Sequence, residues 1–380
     1  MKYPIYMDYN ATTPCYPEVL EAMMPYFTEH FGNAASKNHP YGWMADDAVE
    51  TAREHLANLI GAKPKEIIFT SGATEAINLA IKGTADHYKD ERQHYITSTT
   101  EHKAVLDTFK SLEEKGIPVT YLPVDKLGLI NTKDLEKAIK PETRMISILW
   151  ANNETGVIQP MEIIKAIAKE KGIILMTDAV QATGKINIDV EDIHLMAISA
   201  HKLYGPKGIG ALYIRHNHLL PKPQPQIVGG GHEKGFRSGT LNIPAIVGFG
   251  KAAELRLKNM DNESKRLERL RDQLEKMILK IPGTALNGNT IHRLSHVSNI
   301  SFEGVEGEDL LTMVNKEVAV SSGSACSTIL PKPSHVLKAM GIESDLARAS
   351  IRFSLGSSTN EDDINKASAY VKEVVERLRK

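Results

Sequence analysis

The chain has 380 residues with 46 Lys and Arg against 47 Asp and Glu, a length that supports two domains with sizeable cores and a balance that argues against nucleic acid or an anionic membrane surface as the main partner. Two cysteines, Cys15 and Cys326, exclude a disulfide framework and any C-x-x-C metal pattern, and this usage fits a reducing cytoplasm. The opening residues carry no apolar signal region, and no apolar run approaches the ~18 residues of a membrane span, so a soluble, cytoplasmic protein is expected.

Short apolar runs predict strands at Ile67 to Thr70, Tyr95 to Ser98, Val119 to Leu122, Met145 to Leu149, Ile173 to Thr177, Leu195 to Ile198 and Gly210 to Ile214. Amphipathic stretches such as Met161 to Lys171 separate several of them. Buried strands alternating with helices predict an α/β domain with a mostly parallel sheet. After about residue 255 the pattern changes. A charged helix is expected from Ala252 to Lys280, with Leu255, Leu267, Leu270, Leu274 and Ile278 on its apolar positions. Short strands at Val297 to Phe302, Val318 to Ser321 and Ala349 to Leu355, with helices around Asp309 and Asp362, predict a smaller α+β domain.

Ligands of open α/β sheets bind beyond the carboxyl ends of the strands, and several of these strands run into polar residues. Ser71-Gly72-Ala73-Thr74-Glu75 opens a helix and could seat a phosphate on free N–H groups, although taken alone an ordinary N-cap is the better reading. The next strand leads to His102, and a lone histidine is more often structural. Asn152 and Asn153 read as turn residues or as ligand contacts. Asp178 ends a buried strand, where a carboxylate is costly unless paired; a pyridinium N–H, a buried cation or a helix cap would each serve. Lys202 follows a buried strand and precedes a glycine-rich loop, a junction where lost solvation favours the neutral amine needed for a Schiff base. Lys207 is its local rival, further from the strand end.

With these residues the chain resembles the type I cysteine desulfurases, a branch of the class V aminotransferases with the fold-type I architecture. The resemblance runs nearly end to end through Asp8 to Thr13, Thr70 to Glu75, Thr100-Glu101-His102, Asn152 to Gly156, Asp178 to Gln181 and the stretch around Lys202. It continues through Gly229 to Glu233, Arg237 to Thr240, Ser321 to Cys326 and Ile351 to Gly356. It implies a large domain over 15–255 with a mostly parallel seven-stranded sheet that binds pyridoxal 5'-phosphate. A small α+β domain from 1–14 and 256–380 would carry the catalytic cysteine loop.

The resemblance also implies roles. Lys202 would hold the cofactor as a Schiff base, Asp178 would pair with the pyridine nitrogen, and His102 would stack on the ring as a candidate proton carrier. Gln181 would contact the phenolic oxygen. Ala73, Thr74, Ser199 and His201 would hold the phosphate, with Thr240 reaching that of the other subunit of a homodimer. Arg352 and Asn153 would take the carboxylate of L-cysteine, for which a planar guanidinium is suited. Cys326, among Ser, Gly and Ala with Pro331 and Pro333 following, would leave the substrate as alanine and carry its sulfur as a persulfide. No resident metal is expected, with Cys326 a candidate transient ligand of a cluster. The acceptor would be an iron–sulfur scaffold or a tRNA-thiolation protein, with no direct nucleic-acid contact. Cys15, between Pro14 and Tyr16, reads as structural. Alternatives are a selenocysteine lyase or aminotransferase of the same fold, or a scaffold that has lost turnover.

Overall fold

The computed structural model describes residues 3–216, 222–322 and 333–380. Its strands are β1 (Ile5–Tyr6), β2 (Ile67–Thr70), β3 (His94–Ser98), β4 (Val119–Leu122), β5 (Thr143–Ser147), β6 (Ile174–Asp178), β7 (Leu195–Ser199), β8 (Gly210–Ile214), β9 (Thr284–Leu286), β10 (Val297–Phe302), β11 (Val318–Ala319) and β12 (Ser350–Ser354). Seven of them form one sheet in the order β2-β8-β7-β6-β5-β3-β4. All neighbouring pairs are parallel except those of β8, which is antiparallel to both β2 and β7. With β8 alone reversed, β2, β3, β5, β6 and β7 end at the same edge.

The seven-stranded sheet is mostly parallel, as expected, and it is buried on both sides because side chains alternate between two cores. Ile96, Ile146, Leu175, Met196, Ile198 and Ala211 join one apolar cluster. Their chain neighbours Tyr95, Met145, Met176, Leu195, Ala197 and Leu212 join the other. From β3 the chain moves outward to β4 and then back past β3 to β5, so the strand order reverses there. Such a reversal opens a crevice at the strand ends.

A third cluster combines Met7 with Leu267, Leu270, Leu274, Phe302, Ile351, Phe353, Ile364 and Val371, around the antiparallel sheet β12-β10-β9. The beginning of the chain is woven into this unit. Ile5 and Tyr6 pair with Val318 and Ala319, and Asp8 bridges Ser354.

Several boundaries differ from the sequence reading. The long helix spans Ile243–Ile278, starting nine positions before the expected Ala252. Asn242 caps it through Ala245 N (3.2 Å), and Pro244 lies in its first turn, where a missing N–H costs nothing. Ile246 and Phe249 then pack into the first apolar cluster. The strand expected at Met145 to Leu149 lies two residues earlier, and Asp178 is the last residue of β6 instead of following it. The short β9 was not expected; its half-exposed Thr-Ala-Leu lacks a buried apolar run. Cys15 is exposed, so it does not fill a core.

Candidate active site

The edge where the strands end gathers most of the residues singled out above. At one side β2 runs into the turn before the helix Ala73–His87, whose N-cap Gly72 supplies no side chain to its first N–H groups. Ser71 N donates instead to Glu75 Oε2 (2.8 Å), and Glu75 is held in turn by Arg237 Nε (2.7 Å). The N–H groups of the first turn and the positive end of the helix dipole suit an anion. Thr70, Gly210 and Ser199 stand abreast on β2, β8 and β7, so Ser199 faces this turn across one strand. That strand must begin with glycine. A Cβ on Gly210 would lie 2.6 Å from Ile198 O and 2.7 Å from Gly72 Cα.

Beyond Ser199, His201 Nδ1 lies 3.2 Å from Thr12 Oγ1, and its carbonyl accepts from Thr13 N at 3.0 Å. Burial, then the charges of Lys202, Lys207 and Lys185, pull the His201 pKa down to about 4, so the ring is neutral at pH 7. Lys202 is half-buried and its Nζ donates to Asn10 O (2.5 Å) and Ala11 O (2.6 Å). Lys207 is exposed, which favours Lys202 over its rival.

On the adjacent strand Asp178 is buried, 8% accessible, at the crevice. Its Oδ1 accepts from Val180 N (2.9 Å), and no salt-bridge partner lies within reach among the described residues. Burial therefore raises its pKa, opposed by His102, the Val180 N–H and Lys202. His102 caps the helix Lys103–Glu113 through Ala104 N (3.1 Å). Loss of solvation, with Lys202 and His335 nearby, lowers its pKa against the pull of Asp178. Beneath it Glu101 is fully buried; Oε1 accepts from Leu149 N (2.7 Å) while Oε2 has no partner among the described residues.

Across the crevice, Arg352 on β12 donates from Nη2 to Asp8 (2.6 Å) and from Nη1 to the carbonyl of Asn153 (3.0 Å), leaving Nε buried with no partner among the described residues. Asn10 ties the two sides together. Its carbonyl accepts from Lys202 and from Gln181 Nε2 (3.0 Å), its Nδ2 donates to Asn153 O (3.0 Å), and its Oδ1 meets His296 Nε2 at 2.8 Å. Asn152 braces its turn, accepting from Glu154 N and Thr155 N, and its Nδ2 donates to Thr100 O (3.0 Å).

The model of one family, described as aminotransferase class-V, matches residues 5–366. The chain belongs to the class-V aminotransferase family. Its cofactor is pyridoxal 5'-phosphate. A protein named cysteine desulfurase IscS from Anaeromyxobacter sp. (strain K) is 51% identical over all of this chain and 94% of its own length. One of the same name from Dechloromonas aromatica (strain RCB) is 50% identical over the same shares. Among solved structures, a NifS-like protein superposes with a TM-score of 0.92 at 36% identity, covering 99% of this chain and 100% of its own. A structure described as SspA in complex with cysteine has a TM-score of 0.82 at 39% identity, covering 92% and 98%.

The class-V cofactor presents an anionic phosphate, a pyridine nitrogen and an aldehyde, and the site offers a matching group for each. The helix start at Ala73 and Thr74 with Ser199 and neutral His201 suits the anion. The buried carboxylate of Asp178 has no salt bridge among the described residues, and Lys202 sits one strand away. Thr240 is exposed in the segment before Ile243–Ile278, and the described chain brings it to none of these groups. Cys326 lies outside the described residues. Sequence reasoning assigned nothing to Asp8, Asn10, Glu101 or Lys185. The first three stand inside quoted motifs, but their roles depend on contacts that spacing does not reveal.

Proposed function

We propose that this chain is a pyridoxal-phosphate-dependent cysteine desulfurase. The observation that carries the reading is the pairing of Asp178, a buried carboxylate with no cation of its own, with Lys202 on the next strand, in a chain about half identical to proteins named cysteine desulfurase along its full length. The cofactor, when bound, supplies an electron sink that loosens bonds at the substrate's α- and β-carbons.

The chain's own groups do the rest. Asp178 keeps the ring nitrogen protonated, and burial makes that ion pair worth more than it would be in water. The N–H groups of Ala73 and Thr74, the Thr74 hydroxyl, Ser199 and His201 hold the phosphate. His102 would stack on the ring, and Gln181 would offer its amide to the phenolic oxygen. Lys202 would hold the group covalently, and its amine would move the substrate's α-proton. Arg352, with its unused Nε, and Asn153 grip the substrate carboxylate and so fix which face of L-cysteine meets Lys202. The Cys326 thiolate then bonds to the substrate sulfur as that sulfur leaves carbon. L-cysteine and the protein thiol become alanine and a protein persulfide, with no outside oxidant or reductant.

Homodimer formation and cytoplasmic location are part of the same reading. Phe27, Phe31, Tyr41 and Trp43 are each more than half exposed and cluster near the start of the helix Pro40–Ile60. An apolar patch of this kind marks an interface, and a second copy would bring its Thr240 to the phosphate. The persulfide would pass to an iron–sulfur scaffold or another thiol acceptor, and Cys326 could transiently ligate a cluster. The two domains would be 15–255 and 1–14 with 256–380, a division that the separate cluster around Met7 and Phe353 supports, although Leu294 and Val297 pack across it.

The test is release of alanine and sulfide from L-cysteine with a thiol reductant, wild type against Cys326→Ala. Equal yields of the two products from wild type and almost none from the variant are expected. Full activity in the variant would remove Cys326 as the nucleophile.

A further inference from the structure

Lys185 has no role yet, and a charge on its amine would be costly where it lies. Its amine feels the charges of Lys202, Arg256 and Arg352, and Glu263, which lines the same cavity, is already paired with Arg256 at 2.7 Å. Burial first, then the charges of Lys202, Arg256 and Arg352, push it well below the usual lysine range. A methionine would fill this position without that cost. Lys185 and Lys202 also line one narrow cavity with Tyr9, Tyr204, Arg256 and Glu263.

The contact made by Lys185 gives it a use. Its Nζ donates to Gln181 Oε1 at 2.8 Å, and Gln181 Nε2 donates to Asn10 O at 3.0 Å, the carbonyl that also accepts from Lys202. An amide can turn over with no change of shape, so its partners decide which end faces where. Asn10 O can only accept, and the Lys185 amine has hydrogens to give in either protonation state. Together they fix both the rotamer and the sense of the Gln181 amide, with the NH2 end toward Lys202. One N–H goes to Asn10 O, and the second is left for an acceptor beside Lys202.

We propose that Lys185 is a positioning residue of the Lys202 centre, clamping Gln181 so that its donor end is presented to the cofactor's phenolic oxygen. The inference rests on the cofactor reading above. A donor held on that oxygen competes with the proton shared between the oxygen and the Lys202 nitrogen. Losing the donor therefore lets that nitrogen keep its proton to higher pH.

The experiment is a pH titration of the bound cofactor's absorbance without substrate, in wild type, Lys185→Met, Lys185→Arg, Gln181→Leu and the double variant Lys185→Met/Gln181→Leu. Lys185→Met and Gln181→Leu should each raise the apparent pKa by about one unit, a tenfold change in the dissociation constant. The double variant should match the single ones, because the two residues act as one unit, and Lys185→Arg should stay near wild type. A Lys185→Met titration that overlays wild type overturns the proposal while the cofactor reading stands. So does a full further shift when Lys185→Met is added to Gln181→Leu, since Lys185 would then act independently of the amide. A wild type that forms no coloured complex at all overturns the cofactor reading and this proposal with it.

Discussion

Two buried arginines in this chain are paired in opposite ways. Arg53, on the helix Pro40–Ile60, grips Glu233 through Nη1 (2.9 Å) and Nη2 (2.8 Å), and its Nη1 also donates to Ile67 O. Glu233 accepts Phe69 N as well, and the Arg53 guanidinium lies 4.7 Å from the centroid of the Phe69 ring. Every end of that pair is used. Arg352 touches Asp8 with a single nitrogen, borrows a carbonyl from Asn153 and leaves Nε buried and idle. Evolved interiors leave few polar atoms unmet. A saturated pair therefore reads as scaffold, pinning the Glu233 loop to β2, and a half-used one reads as a hand waiting for a carboxylate. Asp178 and Glu101 belong with Arg352, since both are buried acids lacking a full set of partners.

The sharpest way to break this contrast is to cut each pair. Glu233→Gln removes the buried counter-ion of Arg53 and leaves it only the exposed Glu50, held by Nε at 3.0 Å, and a loss of about 3 kcal/mol in unfolding free energy is expected by urea denaturation. A stability within experimental error of wild type would show that the saturated pair is not scaffold. Arg352→Lys keeps the charge and loses the planar fork. It should raise KM for L-cysteine by about 30- to 100-fold, roughly 2–3 kcal/mol, with the urea midpoint little changed. An unaltered KM would place the substrate carboxylate elsewhere.

Asp178→Asn sharpens the comparison from the other side. The amide keeps the bond from Val180 N and removes a charge that burial disfavours. The cofactor-free protein should gain about 1–3 kcal/mol in thermal or urea unfolding while cofactor affinity falls. A destabilised apoprotein would mean that Asp178 has a structural cation after all. The smallest effect concerns Glu101. Burial raises its pKa well above the usual carboxyl value, so the folded state binds this proton more tightly than the unfolded chain. Its contribution is complete below the unfolded pKa and is lost as pH rises through the folded one. Over that window stability should fall by at most about 1.4 kcal/mol per pH unit, and Glu101→Gln should flatten the slope. An unchanged slope in the variant would assign the pH dependence to other groups.

How much of this was visible beforehand depended on the range of the contacts. The strands of the large sheet were legible because strands buried on both faces must be continuous apolar runs. The groups at their ends were legible because a sheet of this kind exposes its carboxyl edge. Distance from the strand end alone favours Lys202 over Lys207, which the structure leaves exposed. The contacts of Asn10 could not be read, since its partners Gln181 and His296 lie 171 and 286 positions away. Lys185 was passed over for a similar reason: four residues after Gln181, in a turn segment, it looks like any solvated lysine. The start of Ile243–Ile278 was hidden by Pro244, whose ring signals a break unless the cap before it is known.

The pairing of Asp8 with Arg352 also bears on how the molecule is made. The two residues are 344 positions apart, and β1 must wait for β11 before it has any partner. The strand pairings of the large sheet all fall within residues 67–214, so they can form on the ribosome before the last strand of the crevice is synthesised. Loop closure over such distances is slow and comes late. A partly synthesised chain can thus pair the strands of its sheet while it still lacks Arg352 and the contact that Arg352 makes with Asp8.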